Sequence, residues 1–144
     1  MKIAPVIWLT GRSGAGKSTL AEEYRKLLYS LGYSVLVLDG DGIRSTLSID
    51  LGFSQEDRQE NIRRVGEIAV MAASQGITTI VSMISPFRAC RNLVRTKCQE
   101  AGIKFIEVLV KCPEENYRTY DQEVGYEDPL TPEIVSENRQ NLLA

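Results

Sequence analysis

The chain has 144 residues, 43% of them hydrophobic and 25% charged, which fits a single globular domain able to bury a core. The 17 Lys and Arg against 19 Asp and Glu leave a net charge of -2, which argues against a protein that coats nucleic acid. With no histidine in the chain, Ser-His-Asp and Cys-His catalysis and His-ligated metal sites are excluded, and any general base is a carboxylate, Lys, Tyr or Cys.

Residues 6–9 form the first apolar run, too short for a signal-peptide core or a membrane span, and they read as a buried strand. A helix is expected over 20–31, with Leu20, Ala21, Tyr24, Leu27, Leu28 and Leu31 at helical spacing and Gly32 as its stop. Residues 35–38 read as a second strand, closed by the turn Asp39-Gly40-Asp41-Gly42. After a polar stretch, a helix is expected over 55–75, with Ser54 as N-cap and Asp57 beside it. A third strand over 77–84 is rich in β-branched residues. Pro86 opens a helix to about Ala101, and residues 103–110 read as a fourth strand. Beyond Lys111 the pattern fades: residues 133–143 read as a final helix, and no fifth strand is convincing. Strands that are apolar throughout and alternate with helices imply an α/β fold, with a mostly parallel sheet covered on both faces. Cys90, Cys98 and Cys112 are odd in number and lack CxxC spacing, so reduced thiols and a cytoplasmic setting are expected, with no membrane partner.

Three groups of residues carry chemistry. Gly11-Arg12-Ser13-Gly14-Ala15-Gly16-Lys17-Ser18-Thr19 matches GxxxxGK(S/T) between a buried strand and a helix, the context a phosphate-binding loop requires. Its backbone N–H groups and helix N-terminus would cradle phosphates. Lys17 would reach the β- and γ-phosphates, and Ser18 would offer its hydroxyl to Mg²⁺. Asp39 and Asp41 follow the second strand, on the side where α/β sheets bind ligands. One could hold Mg²⁺ and the other accept a proton from an attacking hydroxyl. The third strand has no acid to compete, so the Mg²⁺ carboxylate would be Asp39 or Asp41. Among the arginines, Arg44 and Arg58 lie near the strand ends and read as anion binders. Arg63, Arg91 and Arg95 read more simply as solvated helix faces, with Arg88, Arg91 and Arg95 on one face of their helix.

The motifs also occur together in one known family. Ile7-Trp8-Leu9-Thr10-Gly11 leads into the phosphate loop, and Leu38-Asp39-Gly40-Asp41-Gly42-Ile43-Arg44 follows. Then come Leu51-Gly52-Phe53-Ser54 and Asp57-Arg58-Gln59-Glu60-Asn61-Ile62-Arg63-Arg64, and last Ile84-Ser85-Pro86-Phe87-Arg88 and Phe105-Ile106-Glu107-Val108. In this order they resemble the adenylylsulfate kinases, P-loop enzymes that use ATP to phosphorylate the 3′-hydroxyl of adenosine 5′-phosphosulfate (APS).

The resemblance implies a single P-loop kinase domain over residues 1–144, three-layered α/β/α, using ATP and Mg²⁺ and forming, as relatives often do, a homodimer. Gly11 to Thr19 would bind ATP, with Ser18 and Asp39 on the metal. Asp41, Arg44, Phe53, Arg58, Asn61 and Ile84 would line the acceptor site. Lys17 and Asp41 would be catalytic. Ser85 stands where the family is described as carrying a phosphoserine. Direct in-line transfer needs no such intermediate, and a hydrogen bond to substrate is the other role open to Ser85. The chain departs from the family at Gly42, where Asn is usual, and at Tyr120-Asp121, where Arg-Asp is usual. It also lacks the basic lid segment that relatives insert before Tyr126-Glu127. Two alternatives therefore stand beside APS: a 3′-kinase of another nucleotide such as cytidine diphosphoramidate, and a non-catalytic ATP-binding module.

Overall fold

The computed structural model describes residues 2–113 and 125–137. Elements alternate as expected: β1 (Val6–Thr10), α1 (Lys17–Ser30), β2 (Val35–Asp39), α2 (Gly40–Ser45), α3 (Gln55–Ser74), β3 (Thr78–Ser82), α4 (Arg88–Glu100), β4 (Phe105–Lys111) and β5 (Ile134–Glu137). The strands form one sheet in the order β2-β3-β1-β4-β5. Every adjacent pair is parallel, with Trp8 opposite both Val81 and Glu107, and Asp39 opposite Ser82. Parallel neighbours need crossover connections, and these put the carboxyl ends of all strands on one edge.

Alternation along each strand divides the core into two layers. Val6, Trp8, Val81 and Phe105 pack beneath Val65, Ala69 and Val94 of α3 and α4. Leu9, Ile80, Val108 and Val110 pack against Ala15 and Ala21 on the α1 side. Residues such as Trp8, Leu9, Ile80 and Val65 are fully buried, and each contributes about 1.5–3 kcal/mol of transfer free energy. The strands are apolar on both faces because helices cover both faces. All three cysteines are free and buried, and burial pushes the Cys98 thiol up to about 11.

Most boundaries fall within two residues of the sequence expectation, and three elements differ by more. The first helix begins at Lys17 rather than at residue 20, because the phosphate loop turns directly into it. Residues 40–45, read as an acidic turn and a polar stretch, form a short helix with Asp41 in its first turn. The final helix expected over 133–143 is overturned where the structure describes it: Ile134–Glu137 is a fifth parallel strand. The reason is long-range. The Glu133 carboxylate accepts the Glu107 N–H at 2.6 Å and two bonds from the Arg95 guanidinium, at 2.8 and 2.9 Å, which draws the chain alongside β4. β-branched Ile134 and Val135 then extend the ladder. Residues 138–143 of that expected helix, and the Tyr120-Asp121 pair, lie outside the described residues.

Candidate active site

The phosphate loop leaves the end of β1 at the centre of the sheet. Gly11 passes so close to β4 that an added Cβ would stand 2.4 Å from the Val110 carbonyl oxygen, so no larger residue fits without moving the loop. Gly16 has φ of 101° and caps α1 without any side-chain hydrogen bond. The helix N-terminus thus points into the loop with no side chain capping it, and its dipole favours an anion there. Lys17 is 9% exposed, and its Nζ donates to the Gly11 and Arg12 carbonyls, both at 2.9 Å. An ammonium folded onto loop carbonyls is well placed to swing toward a phosphate resting on the same loop. Ala15 points into the core, Thr19 is exposed on α1, and Arg12 turns away toward Asp128 at 3.3 Å.

Beside the loop, at the end of β2, Asp39 Oδ1 accepts the Ser18 hydroxyl at 3.0 Å. A hydroxyl and a carboxylate are hard oxygen donors, and Mg²⁺ typically takes one or two such protein groups and completes its shell with water and substrate phosphates. The pair fits that ion. Among the described residues there is no group of three or more Asp, Glu, His or Cys that could cage a metal without such help.

The other half of the site is built from α2, α3 and the turn after β3. Ser54 caps α3 as expected, its Oγ accepting the Asp57 N–H at 3.1 Å, and Asp57 in turn accepts the Gly52 N–H at 2.7 Å. These bonds present Phe53 with its ring 63% exposed, which is unusual for a Phe and leaves a face for stacking. Arg44 and Arg58 pack on the ring, their guanidinium carbons 4.5 and 5.3 Å from its centroid. The same arginines donate to the Gly52 carbonyl at 3.0 Å and the Phe53 carbonyl at 2.9 Å. One turn beyond Arg58, Asn61 is 1% exposed, and among the described residues neither its Oδ1 nor the buried Ser82 hydroxyl has a partner. Buried polar atoms without partners are uncommon, and both residues line the cleft.

That cleft, about 470 Å³, joins the two halves. Of the residues expected from sequence it brings together Ser13, Gly14, Lys17, Ser18, Asp39, Asp41, Arg44, Phe53, Arg58, Asn61, Ile84 and Ser85. Gly11, Arg12, Ala15, Gly16 and Thr19 shape the loop without lining it. Ser82, Met83 and Pro86 line it and were not singled out. Ser82 carries a local signal, a hydroxyl at the carboxyl end of a strand otherwise built to be buried. Arg63 is solvated and paired with Glu60, as expected. Arg91 corrects its expectation: it is 1% exposed and bonds Glu107 at 3.2 Å and the Ser85 carbonyl at 2.6 Å. Its face of α4 meets the returning residues 127–133 and not solvent, through Arg88 to the Asp128 carbonyl, Arg91 to the Glu127 carbonyl and Arg95 to Glu133. Ser85 itself is 3% exposed with φ of 42°.

Among the described residues no helix is long and apolar enough to cross a membrane. The family described as adenylylsulphate kinase matches residues 4–136. The adenylyl-sulfate kinase of Bacillus licheniformis is 45% identical over 148 aligned residues, covering 90% of this chain and 74% of the relative. The adenylyl-sulfate kinase of Thermodesulfovibrio yellowstonii is 48% identical over 129 residues, 90% of this chain and 64% of the relative. The solved Mycobacterium tuberculosis APS kinase CysC, in complex with AMPPNP and APS, superposes with a TM-score of 0.85 at 32% identity, covering 99% of this chain and 97% of that one. The chain belongs to the adenylylsulphate kinase family, and its fold is that of a P-loop kinase.

Proposed function

We propose that this chain transfers the γ-phosphoryl group of ATP to the 3′-hydroxyl of APS. The observation that carries the reading is the single cleft with a phosphate loop at one end and, at the other, an exposed aromatic ring backed by two arginines. The loop and Lys17 bind and orient the ATP phosphates. Phe53 stacks on the acceptor's base. Arg44 and Arg58 face its phosphosulfate, the kind of anion a planar guanidinium fork suits. Asn61 supplies an acceptor to a substrate N–H or O–H group. Asp41 orients the 3′-hydroxyl and takes its proton as the oxygen attacks phosphorus. Lys17 neutralises charge on the equatorial oxygens and the leaving ADP. Ser18 and Asp39 would hold Mg²⁺, which would supply further charge neutralisation on the phosphates. Ser85 keeps the acceptor turn in place, and transfer is direct.

The alignment with the Bacillus licheniformis relative is longer than this whole chain, so that relative contributes residues this chain lacks. This supports reading the chain as one kinase domain with a shortened lid. Lids exclude water, so a shortened one predicts measurable ATP hydrolysis beside transfer. The free, buried cysteines favour a cytoplasmic setting, and a homodimer is the assembly proposed, read by sedimentation.

The test is to incubate the protein with ATP and Mg²⁺, plus either APS or cytidine diphosphoramidate, and to follow ADP and the 3′-phosphorylated product. Product from APS supports the reading. Product from the cytidine acceptor alone replaces APS as substrate, and ATP binding without product from either makes the chain a nucleotide-binding module.

A further inference from the structure

The two ends of the cleft meet at a side chain that lines neither. Tyr126, on the segment returning toward β5, is 8% exposed. Its ring sits between two guanidiniums, that of Arg12 in the phosphate loop at 5.0 Å and that of Arg91 in α4 at 5.5 Å. Its hydroxyl lies 2.9 Å from Thr10 Oγ1, at the residue that opens the loop. The directions of the surrounding bonds can be assigned. Trp8 Nε1 donates to Ser85 Oγ at 3.0 Å, and Ser85 Oγ donates to Thr10 Oγ1 at 3.1 Å, with the Met83 carbonyl as its other acceptor at 3.2 Å. Thr10 directs its single proton to the Ile84 carbonyl at 2.7 Å. The phenol must therefore be the donor to Thr10. Burial pushes that phenol up to about 12 despite the nearby Arg91 and Arg12, so its proton stays on at neutral pH.

The same segment is laced to the acceptor turn. Glu127 N–H donates to the Pro86 carbonyl at 2.9 Å, and Glu127 Oε1 accepts the Arg88 N–H at 2.9 Å. Arg91 donates to the Ser85 carbonyl at 2.6 Å and to the Glu127 carbonyl at 2.5 Å. Ser85 sits at a left-handed φ, which costs a non-glycine residue about 1–3 kcal/mol and persists only where surroundings hold it.

We propose that Tyr126 is a positioning residue for phosphoryl transfer: it holds the phosphate loop, through Arg12 and Thr10, and the acceptor turn at Ile84 and Ser85, through Thr10 and Arg91, in one fixed register. The inference rests on the kinase reading of the cleft. Transfer requires the γ-phosphorus and the attacking hydroxyl to be aligned, and a displacement of about 1 Å can cost about a hundredfold in rate. The two substrates sit on the two loops that Tyr126 ties together.

The test compares Tyr126→Phe, which keeps the ring and removes the donor, with Tyr126→Leu, which removes both. The kcat, both KM values and Tm are measured. So is the nitrogen–proton NMR resonance of Trp8 Nε1, the one tryptophan in the chain, with and without AMPPNP. Expected are a kcat loss of about tenfold for Tyr126→Phe and about a hundredfold for Tyr126→Leu, with KM values within about twofold. AMPPNP should shift the Trp8 resonance in the parent protein, through Thr10 and Ser85, and fail to do so in Tyr126→Leu. Unchanged kcat per folded molecule in both variants, with only Tm lowered, overturns the proposal and leaves Tyr126 a packing residue. If Tyr126→Leu does not fold, the rate of Tyr126→Phe decides. If the parent turns over no acceptor, the kinase reading fails and the resonance decides separately: a shift retained in the variants, or absent from the parent, overturns the positioning role.

Discussion

The two ends of the cleft are made in different ways. The phosphate end comes from one uninterrupted stretch, residues 11–19, plus Asp39, and under the proposed function it would bind chiefly with backbone N–H groups and a lysine already resting on loop carbonyls. The acceptor end is gathered from α2, α3 and the turn after β3, and under the proposed function it would bind with side chains: a ring, two guanidiniums and an amide oxygen that has no partner among the described residues. Backbone recognition tolerates changes in neighbouring side chains, whereas side-chain recognition depends on what packs behind each group. Lesions at the phosphate end, and at the proton-accepting Asp41, should therefore remove rate, and lesions among the recognition side chains of the acceptor end should remove affinity for one substrate.

The largest break expected in that comparison is at Lys17. Lys17→Ala should lower kcat by about a hundredfold to a thousandfold, with APS affinity held within about twofold, as read by steady-state kinetics and calorimetry. Asp41→Asn should lower kcat by about a hundredfold while both nucleotides still bind, since the amide keeps its size but cannot take the proton. A loss of APS binding in that variant would move Asp41 from proton transfer to recognition. Arg58→Ala should raise the KM for APS by about ten- to thirtyfold and leave AMPPNP affinity unchanged. Arg58→Lys should recover little, because an ammonium cannot both stack on Phe53 and present a planar fork. Equal weakening of both nucleotides would erase the distinction between the two ends.

The smallest effect concerns the strand that closes the sheet. Burial pushes Glu133 up, but the Arg95 guanidinium and the Glu107 N–H overcome this and hold its carboxyl below the ordinary value of 4.5. A carboxyl lowered by folding adds stability above its unfolded pKa and loses it as pH falls through the folded one. The urea midpoints of the parent and Glu133→Gln should therefore differ at neutral pH and converge as the pH falls through the lowered pKa of the folded state. With Glu133 partly exposed, solvent screening limits the difference to less than about 1 kcal/mol.

Four strands and the helices between them are legible in the sequence because each carries its own period and stop. Leu20 to Leu31 repeat at helical spacing, and the capping pair Ser54 and Asp57 announces α3. The phosphate loop is legible for the same reason, since its chemistry is written in neighbouring residues. β5 is not legible: four residues carry too little pattern, and what makes them a strand is Glu133 reaching Arg95 and Glu107, which are distant in sequence. Arg91 misleads for the same reason, because its helical spacing is that of a solvated face and only Glu107 and the Glu127 carbonyl show why it is buried. Phe53, Arg58 and Asn61 were legible through family resemblance, while the unpartnered Ser82 hydroxyl beside them was not.

Delivery of the γ-phosphoryl group to a 3′-hydroxyl within one cleft is best tested by phosphorus NMR of a single mixture of the protein, Mg²⁺, ATP and APS, because the spectrum reports where the phosphate goes. The expected result is a new phosphomonoester resonance coupled to the 3′ proton of the acceptor, growing in step with ADP apart from a smaller inorganic phosphate signal. ADP and inorganic phosphate alone, or a monoester at any other position, would contradict it.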